Sequence, residues 1–304
     1  MIQHQVYIYD KRLPGTSARF APDRIQRGPF SATTGPLVSC LMITRGDLGF
    51  VRAAISSFAA QTYGNRELMI ICDAVTPDLV QLVADSGEDV RLVVAEQMSL
   101  GELRNLSVEQ AQGEIVCQWD DDDIYGPQRL ENGIGALLAT GAEAVFLRQW
   151  MLWCPAQEKL SLSWSRVWEG TMIAYKDALP RYPDLHKAED TALVLEMGKQ
   201  RVIALMDDPM SYCYCMHGGN TFLGDHQQTM LNDAKLIFDY PAALAAFSSA
   251  LKFAHHPALP EAHRPSLRGN PIASAVQRAL LWAYMEGNQF ARRYRYRAGT
   301  WPSR

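Results

Sequence analysis

Long hydrophobic runs are missing from this sequence. No stretch approaches the roughly 18 consecutive apolar residues that a membrane-spanning helix needs. Residues 1–36 are polar and broken by proline and glycine, without the apolar core of a signal peptide, so neither leader nor membrane anchor is expected. Cysteine is sparse: Cys40, Cys72, Cys117, Cys154, Cys213 and Cys215 are the six in 304 residues. Three of them fall in strand-like apolar runs, where a thiol behaves as a small buried hydrophobe. Cys213-Tyr214-Cys215 has neither the spacing nor the second pair of a zinc knuckle, and a reduced, cytoplasmic compartment is expected. An excess of one charge sign is also lacking. Twenty-nine basic residues stand against 33 acidic ones, a net charge of −4, so nothing global points to a nucleic-acid partner. There is no internal repeat and no low-complexity tract. What remains is 48% hydrophobic and 20% charged, the balance of a chain that buries an ordinary core in one large α/β domain or two smaller ones.

Against that plain background stand four consecutive aspartates, Asp120 to Asp123. Ahead of them Ile115-Val116-Cys117-Gln118-Trp119 is short, β-branched and aromatic, the pattern of a buried strand. Behind them Ile124-Tyr125-Gly126-Pro127 reads as a turn. Four carboxylates at the end of a buried strand repel one another and resist desolvation unless a cation shares their charge. Hard oxygen ligands at this density suit Mg2+ or Mn2+, which take one or two carboxylates, several waters and substrate phosphates. The alternative is a solvated acidic turn.

From residue 36 the chain alternates between two periodicities. Strands are expected at residues 37–44, 67–72, 90–95 and 114–119. Helices are expected at 50–61, where Val51, Ala54, Ile55, Phe58 and Ala59 repeat at helical spacing, and at 77–86 and 103–112. Such alternation predicts βαβ units and a mostly parallel sheet flanked by helices. Ligands of open sheets bind beyond the carboxyl ends of the strands, where Thr44, Asp73 and the aspartate run fall. A helix from Arg129 to about Thr140 and a strand at 144–147 follow. Residues 148–180, with Trp150, Trp153, Trp164 and Trp168, read as strands and loops. A helix at 186–197 begins near Glu189-Asp190, residues 202–216 are strand-like, and residues 226–304 read as mainly helical with a proline-rich linker at 257–265. The domain expectation is an extension at 1–36, a catalytic domain at 37–225 (nucleotide half 37–125, acceptor half 126–225) and a helical extension at 226–304. The basic, aromatic tail Arg292-Arg293-Tyr294-Arg295-Tyr296-Arg297 suits either an anionic membrane surface or a solvated helix end.

Six ordered motifs carry a resemblance. Val38-Ser39-Cys40-Leu41-Met42-Ile43-Thr44 with Ser57-Phe58-Ala59-Ala60-Gln61-Thr62, the strand from Glu67 to Asp73, and Gly101, Arg104 and Asn105 followed by Ala111-Gln112-Gly113-Glu114 are the first three. Trp119 and the aspartate run with Pro127 and Leu130-Glu131, then Glu189-Asp190 after the Gly170 segment, then His217-Gly218-Gly219-Asn220-Thr221 complete the series. Together they resemble the inverting family 2 glycosyltransferases of the GT-A fold, which use a nucleotide-sugar donor and a divalent metal. Ile43-Thr44-Arg45-Gly46 stands where that family has P-T-Y-N, and Cys72-Asp73-Ala74-Val75 where it has D-D-G-S, so the base-binding rim is altered.

The resemblance implies roles residue by residue. Asp120 and Asp122 match the D-x-D pair, with Asp122 the direct ligand of Mn2+ or Mg2+ and Asp120 facing the ribose and metal-bound water. Asp121 borders the same donor site, and Asp123 is a turn or helix-start carboxylate. Asp73 accepts from a base N–H, Thr44 meets the nucleotide through its backbone, and Arg104 pairs with phosphates or holds the aspartates. Asp190 is the general base for the acceptor hydroxyl and Glu189 orients base or acceptor. His217 approaches the diphosphate or completes the metal shell. His186, His255, His256 and His263 have no assigned role. The tryptophans pack in the core or stack on a sugar face.

The implied activity is transfer from a nucleotide-diphosphate sugar, expected to be a UDP-sugar, to a carbohydrate, lipid-linked glycan or small-molecule hydroxyl. The implied place is the cytoplasm, and both peripheral contact with the inner face of a membrane and a homodimer are compatible with it. A sugar-phosphate nucleotidyltransferase is an alternative, but Arg45-Gly46-Asp47 is too short for its glycine-rich loop. A non-catalytic nucleotide-sugar binder is the other.

Overall fold

The computed structural model describes residues 6–9, 19–20, 35–157, 159–220, 225–234 and 236–239. Residues 37–125 are built as the sequence pattern predicts, with shifted ends. Strand β3, Val38–Thr44, follows two short N-terminal strands, β1 (Val6–Tyr9) and β2 (Arg19–Phe20). Its residues are apolar without alternation because both faces of a central parallel strand are covered. Helix α1, Leu48–Ala59, starts two residues earlier than apolar spacing suggests. The Asp47 carboxylate accepts from the Gly49 and Phe50 amides at 2.9 and 3.2 Å, so the start is set by a cap rather than by the apolar stripe.

Next come β4 (Arg66–Cys72), α2 (Pro77–Ala84), β5 (Val90–Val94) and α3 (Leu100–Gln110). Helix α3 opens with a capping box: the Glu102 amide donates to Ser99 Oγ and the Ser99 amide to Glu102 Oε2. Strand β6 (Ile115–Gln118), strand β7 (Ile124–Tyr125) and helix α4 (Arg129–Thr140) complete this part.

The later chain adds β8 (Ala144–Leu147), β9 (Met151–Cys154), β10 (Lys159–Leu162), β11 (Trp168–Tyr175), α5 (Glu189–Gln200), β12 (Ile203–Met206), β13 (Tyr212–Cys215), α6 (Asp225–Asn232) and β14 (Leu236–Asp239). One sheet has the order β2-β1-β12-β8-β11-β6-β3-β4-β5, in which β1 and β11 run against the other strands. The expected mostly parallel α/β sheet is therefore present. A second sheet, β14-β10-β9-β13-β7, was not separable in the tryptophan-rich stretch.

Two segments differ from the sequence pattern. Val6–Tyr9 lies in the part expected to be an extension, yet it pairs with β12. Leu236–Asp239 lies in the part expected to be helical, yet it pairs with β10. Leu236–Asp239 is the edge strand of the second sheet, and Val6–Tyr9 lies between β12 and the two-residue edge strand β2. The remaining helical expectation and the basic tail at 292–297 lie outside the described residues, as do His255, His256 and His263.

The topology places the site. Strands β3, β4 and β6 are parallel neighbours, so Thr44, Asp73 and Asp120 emerge at the same end of the sheet. Strand β6 belongs to the first sheet and β7 to the second, so the aspartate run is the link between sheets. On the other side, α3 is fastened to the 182–185 loop. The Asn105 amide group donates to the Tyr182 carbonyl and its oxygen accepts the Tyr182 amide, both at 2.9 Å, and the Gly101 amide donates to the Leu185 carbonyl at 2.9 Å. At the end of this loop Ala188 holds a left-handed φ of 58°, immediately ahead of α5.

Gly101 is fixed by space rather than by backbone angle. A Cβ there would lie 1.8 Å from the Pro183 carbonyl oxygen. Replacing Gly101 with Ala is expected to cost about 1–3 kcal/mol through forced backbone shifts, read as a lowered urea midpoint. An unchanged midpoint would show that this loop is not packed on α3.

Candidate functional site

Each of the four consecutive aspartates meets a different set of partners. Asp120 accepts from Arg104 Nη2 at 3.1 Å through one oxygen and from Gln118 Nε2 at 3.0 Å through the other. Asp121 accepts from the Thr44 hydroxyl at 2.5 Å, and that hydroxyl accepts the Gly46 amide at 3.0 Å. Asp122 Oδ2 meets His217 Nε2 at 2.9 Å and Asn220 Nδ2 at 3.2 Å. Asp123 is buried: one oxygen accepts the Cys215 amide at 2.8 Å and the other the Tyr212 hydroxyl.

The run sits above a buried cation. Arg129 opens α4 beneath it, with its guanidinium against the rings of Trp119, Tyr125 and Tyr212 at 5.9, 5.0 and 4.9 Å. Arg129 Nη2 donates to the Gln118 carbonyl at 3.0 Å. Arg129 and Arg104 are two positive charges against the four carboxylates of the run and Glu189. Burial, then the charges of Asp122 and Asp120, push Asp121 up to about 7 against the pull of the Thr44 hydroxyl. Burial and the same two neighbours push Asp123 well above the carboxylate range.

Arg104 reaches from α3 between two elements far apart in sequence. Its Nε donates to Glu189 Oε1 at 2.9 Å while Nη2 holds Asp120. Its side chain is 9% exposed and that of Glu189 3%, so this is an interior ion pair. Burial alone would lower the guanidinium; the two carboxylates outweigh it and keep Arg104 firmly charged. Glu189 is thus turned inward to Arg104, whereas Asp190, the next residue, is only half buried. Asp190 Oδ1 accepts the Thr191 amide at 2.7 Å.

The turn after β13 is held by Asn220. Its oxygen accepts the His217 amide at 2.6 Å and Gln227 Nε2 at 2.9 Å, while its nitrogen donates to the Cys215 carbonyl and to Asp122. His217 packs on Phe50 with ring centroids 4.7 Å apart. His217 Nδ1 accepts the Gly219 amide at 3.1 Å, so a neutral ring carries its hydrogen on Nε2 and donates it to Asp122.

The structure therefore groups the expected residues into three clusters: Arg104, Asp120 and Glu189; Thr44 and Asp121; Asp122 and His217. Asp73 is exposed at the end of β4, beside β3 in the sheet. The Thr44 side chain, read from sequence as a poor probe beside its backbone, has two bonds of its own. Asn220 was visible within a motif without a role, and Arg129 only as the opening of a helix. Thr221 lies outside the described residues.

The donors fit a hard divalent ion. Carboxylate oxygens of Asp120 and Asp122 with an imidazole nitrogen suit Mn2+ or Mg2+, and the excess negative charge is what such an ion relieves. Among the described residues no three potential ligands converge on one point.

Asp123 and Asp122 should respond unequally to truncation. Asp123→Ala leaves the Cys215 amide and the Tyr212 hydroxyl unsatisfied in the interior, an expected loss of about 1–3 kcal/mol. Asp122→Ala removes a half-exposed carboxylate and should cost less stability than Asp123→Ala. Chemical denaturation of both variants checks the order.

Residues 39–151 match the protein-family model described as "Glycosyl transferase family 2". An uncharacterized glycosyltransferase of Rickettsia typhi, RT0329, is 28% identical over 105 residues, 34% of this chain and 33% of that protein. The putative glycosyltransferase EpsH of Bacillus subtilis is 29% identical over 99 residues, 32% of this chain and 29% of that protein. The chain thus spans about a third of the length of these curated relatives. Among solved structures, the mannosyltransferase PcManGT of Pyrobaculum calidifontis, in complex with GDP-Man and Mn2+, superposes with a TM-score of 0.49 at 17% identity, covering 88% of this chain and 87% of that one. TarS 1-349 of S. aureus superposes with 0.46 at 16% identity, covering 78% and 76%. Among the described residues no helix is long and apolar enough to cross a membrane. Residues 39–151 are thus the part of this chain that is similar to glycosyl transferase family 2.

Proposed function

We propose that this chain is a metal-dependent, inverting glycosyltransferase that moves a sugar from a nucleotide-diphosphate donor to an acceptor hydroxyl. The observation that carries the reading is the buried Arg104, which ties Asp120 at the donor carboxylates to Glu189 beside Asp190. A donor site and a candidate base on one buried frame are what a single displacement requires.

In this reading Asp122 holds Mn2+ or Mg2+, with Asp120 and His217 beside it. His217 binds through Nε2 only when that proton leaves and the Gly219 contact relaxes. The ion, when bound, neutralises charge on the departing diphosphate. Asp121, set by Thr44, borders the same donor site, and Asp73 at the end of β4 accepts from the base. Asp190 takes the acceptor proton as the new bond from the acceptor oxygen to the anomeric carbon forms and the bond to the diphosphate oxygen breaks. The products are a glycoside of inverted configuration and a nucleoside diphosphate. Glu189 stays inside, a positioning group that keeps Arg104 on Asp120. A UDP-sugar is the proposed donor and a carbohydrate or lipid-linked glycan the proposed acceptor, met in the cytoplasm at a membrane surface.

The test is a thermal-shift panel of UDP, GDP, CDP and dTDP with and without Mn2+. One nucleotide should give a Mn2+-dependent rise in Tm that Asp122→Ala abolishes. Asp190→Asn should retain that rise and lose transfer by about a hundredfold or more. No rise with any nucleotide would overturn the donor site, and near-normal turnover in Asp190→Asn would overturn the base.

A further inference from the structure

Strand β11 is irregular where it passes the site. Its register against β8 shifts between Trp168 and Ile173, a bulge of the kind that re-aims side chains beside functional groups. The Thr171 hydroxyl repairs the ladder there, accepting the Leu147 amide at 2.8 Å and donating to the Trp168 carbonyl at 2.6 Å. Glu169 and Gly170 lie within this irregular stretch. Gly170 passes so close to the donor carboxylates that a Cβ would lie 3.2 Å from the Tyr212 hydroxyl and 3.6 Å from Asp120 Oδ2.

Glu169 points the other way along the site. Its Oε1 receives Arg166, whose guanidinium lies over the Trp168 ring at 4.7 Å. The same oxygen is 3.3 Å from the Thr191 hydroxyl, which is also 3.5 Å from Asp190 Oδ1. Thr191 has one hydroxyl hydrogen and two acceptors for it. Shared between them, the hydroxyl links Glu169 to Asp190 Oδ1, which the Thr191 amide also holds at 2.7 Å, while Oδ2 has no donor among the described residues.

We propose that Glu169 and Thr191 are positioning residues for the Asp190 carboxylate: the bulge in β11 brings Glu169 against Thr191, which fixes the rotation of Asp190 and turns its second oxygen to the acceptor. This rests on the reading of Asp190 as the base. It assigns a purpose to a buried carboxylate, 12% exposed, that neither the donor site nor the sheet requires. Arg166 compensates the buried charge of Glu169.

The experiment uses the full chain and the UDP-sugar with Mn2+, following UDP release on transfer to water. Glu169→Gln keeps shape and Thr191→Val removes the hydroxyl; each should lower kcat about tenfold with donor KM within about twofold. Thr191→Ser, which restores the hydroxyl, should return most of the rate. A group that only supports the fold would lower Tm and would not give this split or this rescue. If Glu169→Gln and Thr191→Val turn over at the wild-type rate while Asp190→Asn is inactive, the inference is overturned and the proposed function stands. If Asp190→Asn itself turns over normally, both fall. Should Thr191→Val fail to fold, Glu169→Gln alone decides, since its amide occupies the same volume.

Discussion

The guanidinium of Arg104 is the interaction around which this molecule is arranged. It lies inside the protein between Asp120, at the end of a central strand, and Glu189, at the start of a helix 85 residues further along. An arginine in that position cannot shed its proton, and a buried carboxylate without a cation is expensive. The three groups therefore hold one another, and with them the ends of α3, β6 and α5. Asn105, one residue along, clamps the Tyr182 backbone on both sides, and Gly101 lets α3 approach the same loop. The candidate donor and acceptor halves are registered by these few contacts.

The aspartate run shows how consecutive residues of one type come to do different work. Asp120 leaves a strand, Asp123 enters the next, and Asp121 and Asp122 lie in the turn between. The backbone therefore aims four carboxylates at four neighbourhoods: a guanidinium, a threonine, a histidine with an asparagine, and a tyrosine with a backbone amide. The run also joins the two sheets, so its geometry is fixed at both ends. Concentrated negative charge at such a link is stable only where partners are built for it, and Arg129 in its aromatic cage is one.

Much of this was legible in the chain, for physical reasons that can be named. Parallel strands covered on both faces read as unbroken apolar runs, so β3, β4 and β6 were found to within a residue or two. Asp120 and Asp122 stand out in the sequence because a run of carboxylates behind an apolar strand has no packing explanation, whereas Arg104 and Glu189, both on helices, are picked out only by the ordered resemblance. Helix starts were misplaced at α1 and α3 because Asp47 and Ser99 set them through caps, while the apolar stripe begins later. The second sheet was hidden because its strands, β7, β9, β10, β13 and β14, come from separate stretches and two of them are four-residue pieces of a tryptophan-rich segment. Inward-facing Glu189 was not foreseeable: on sequence alone, either member of an acidic pair at a helix start can be the buried one. Glu169 left no trace, since a bulge is a property of two strands together.

The pairing of β1 with β12 has a consequence for how the chain assembles. Tyr7 and Asp207, joined through the Tyr7 hydroxyl, are 200 positions apart, whereas β3, β4, β5 and β6 lie within one continuous stretch of about 80 residues. Contacts that close long loops form late, because the chain entropy they cost is recovered only when both ends are already ordered. During synthesis the parallel core can therefore gather while Val6–Tyr9, made first, waits for nearly the whole domain to emerge before its partner exists. Until Ile203–Met206 exists, Val6–Tyr9 has only the two-residue strand β2 to pair with, and its other side is an open edge of the kind that invites misassembly.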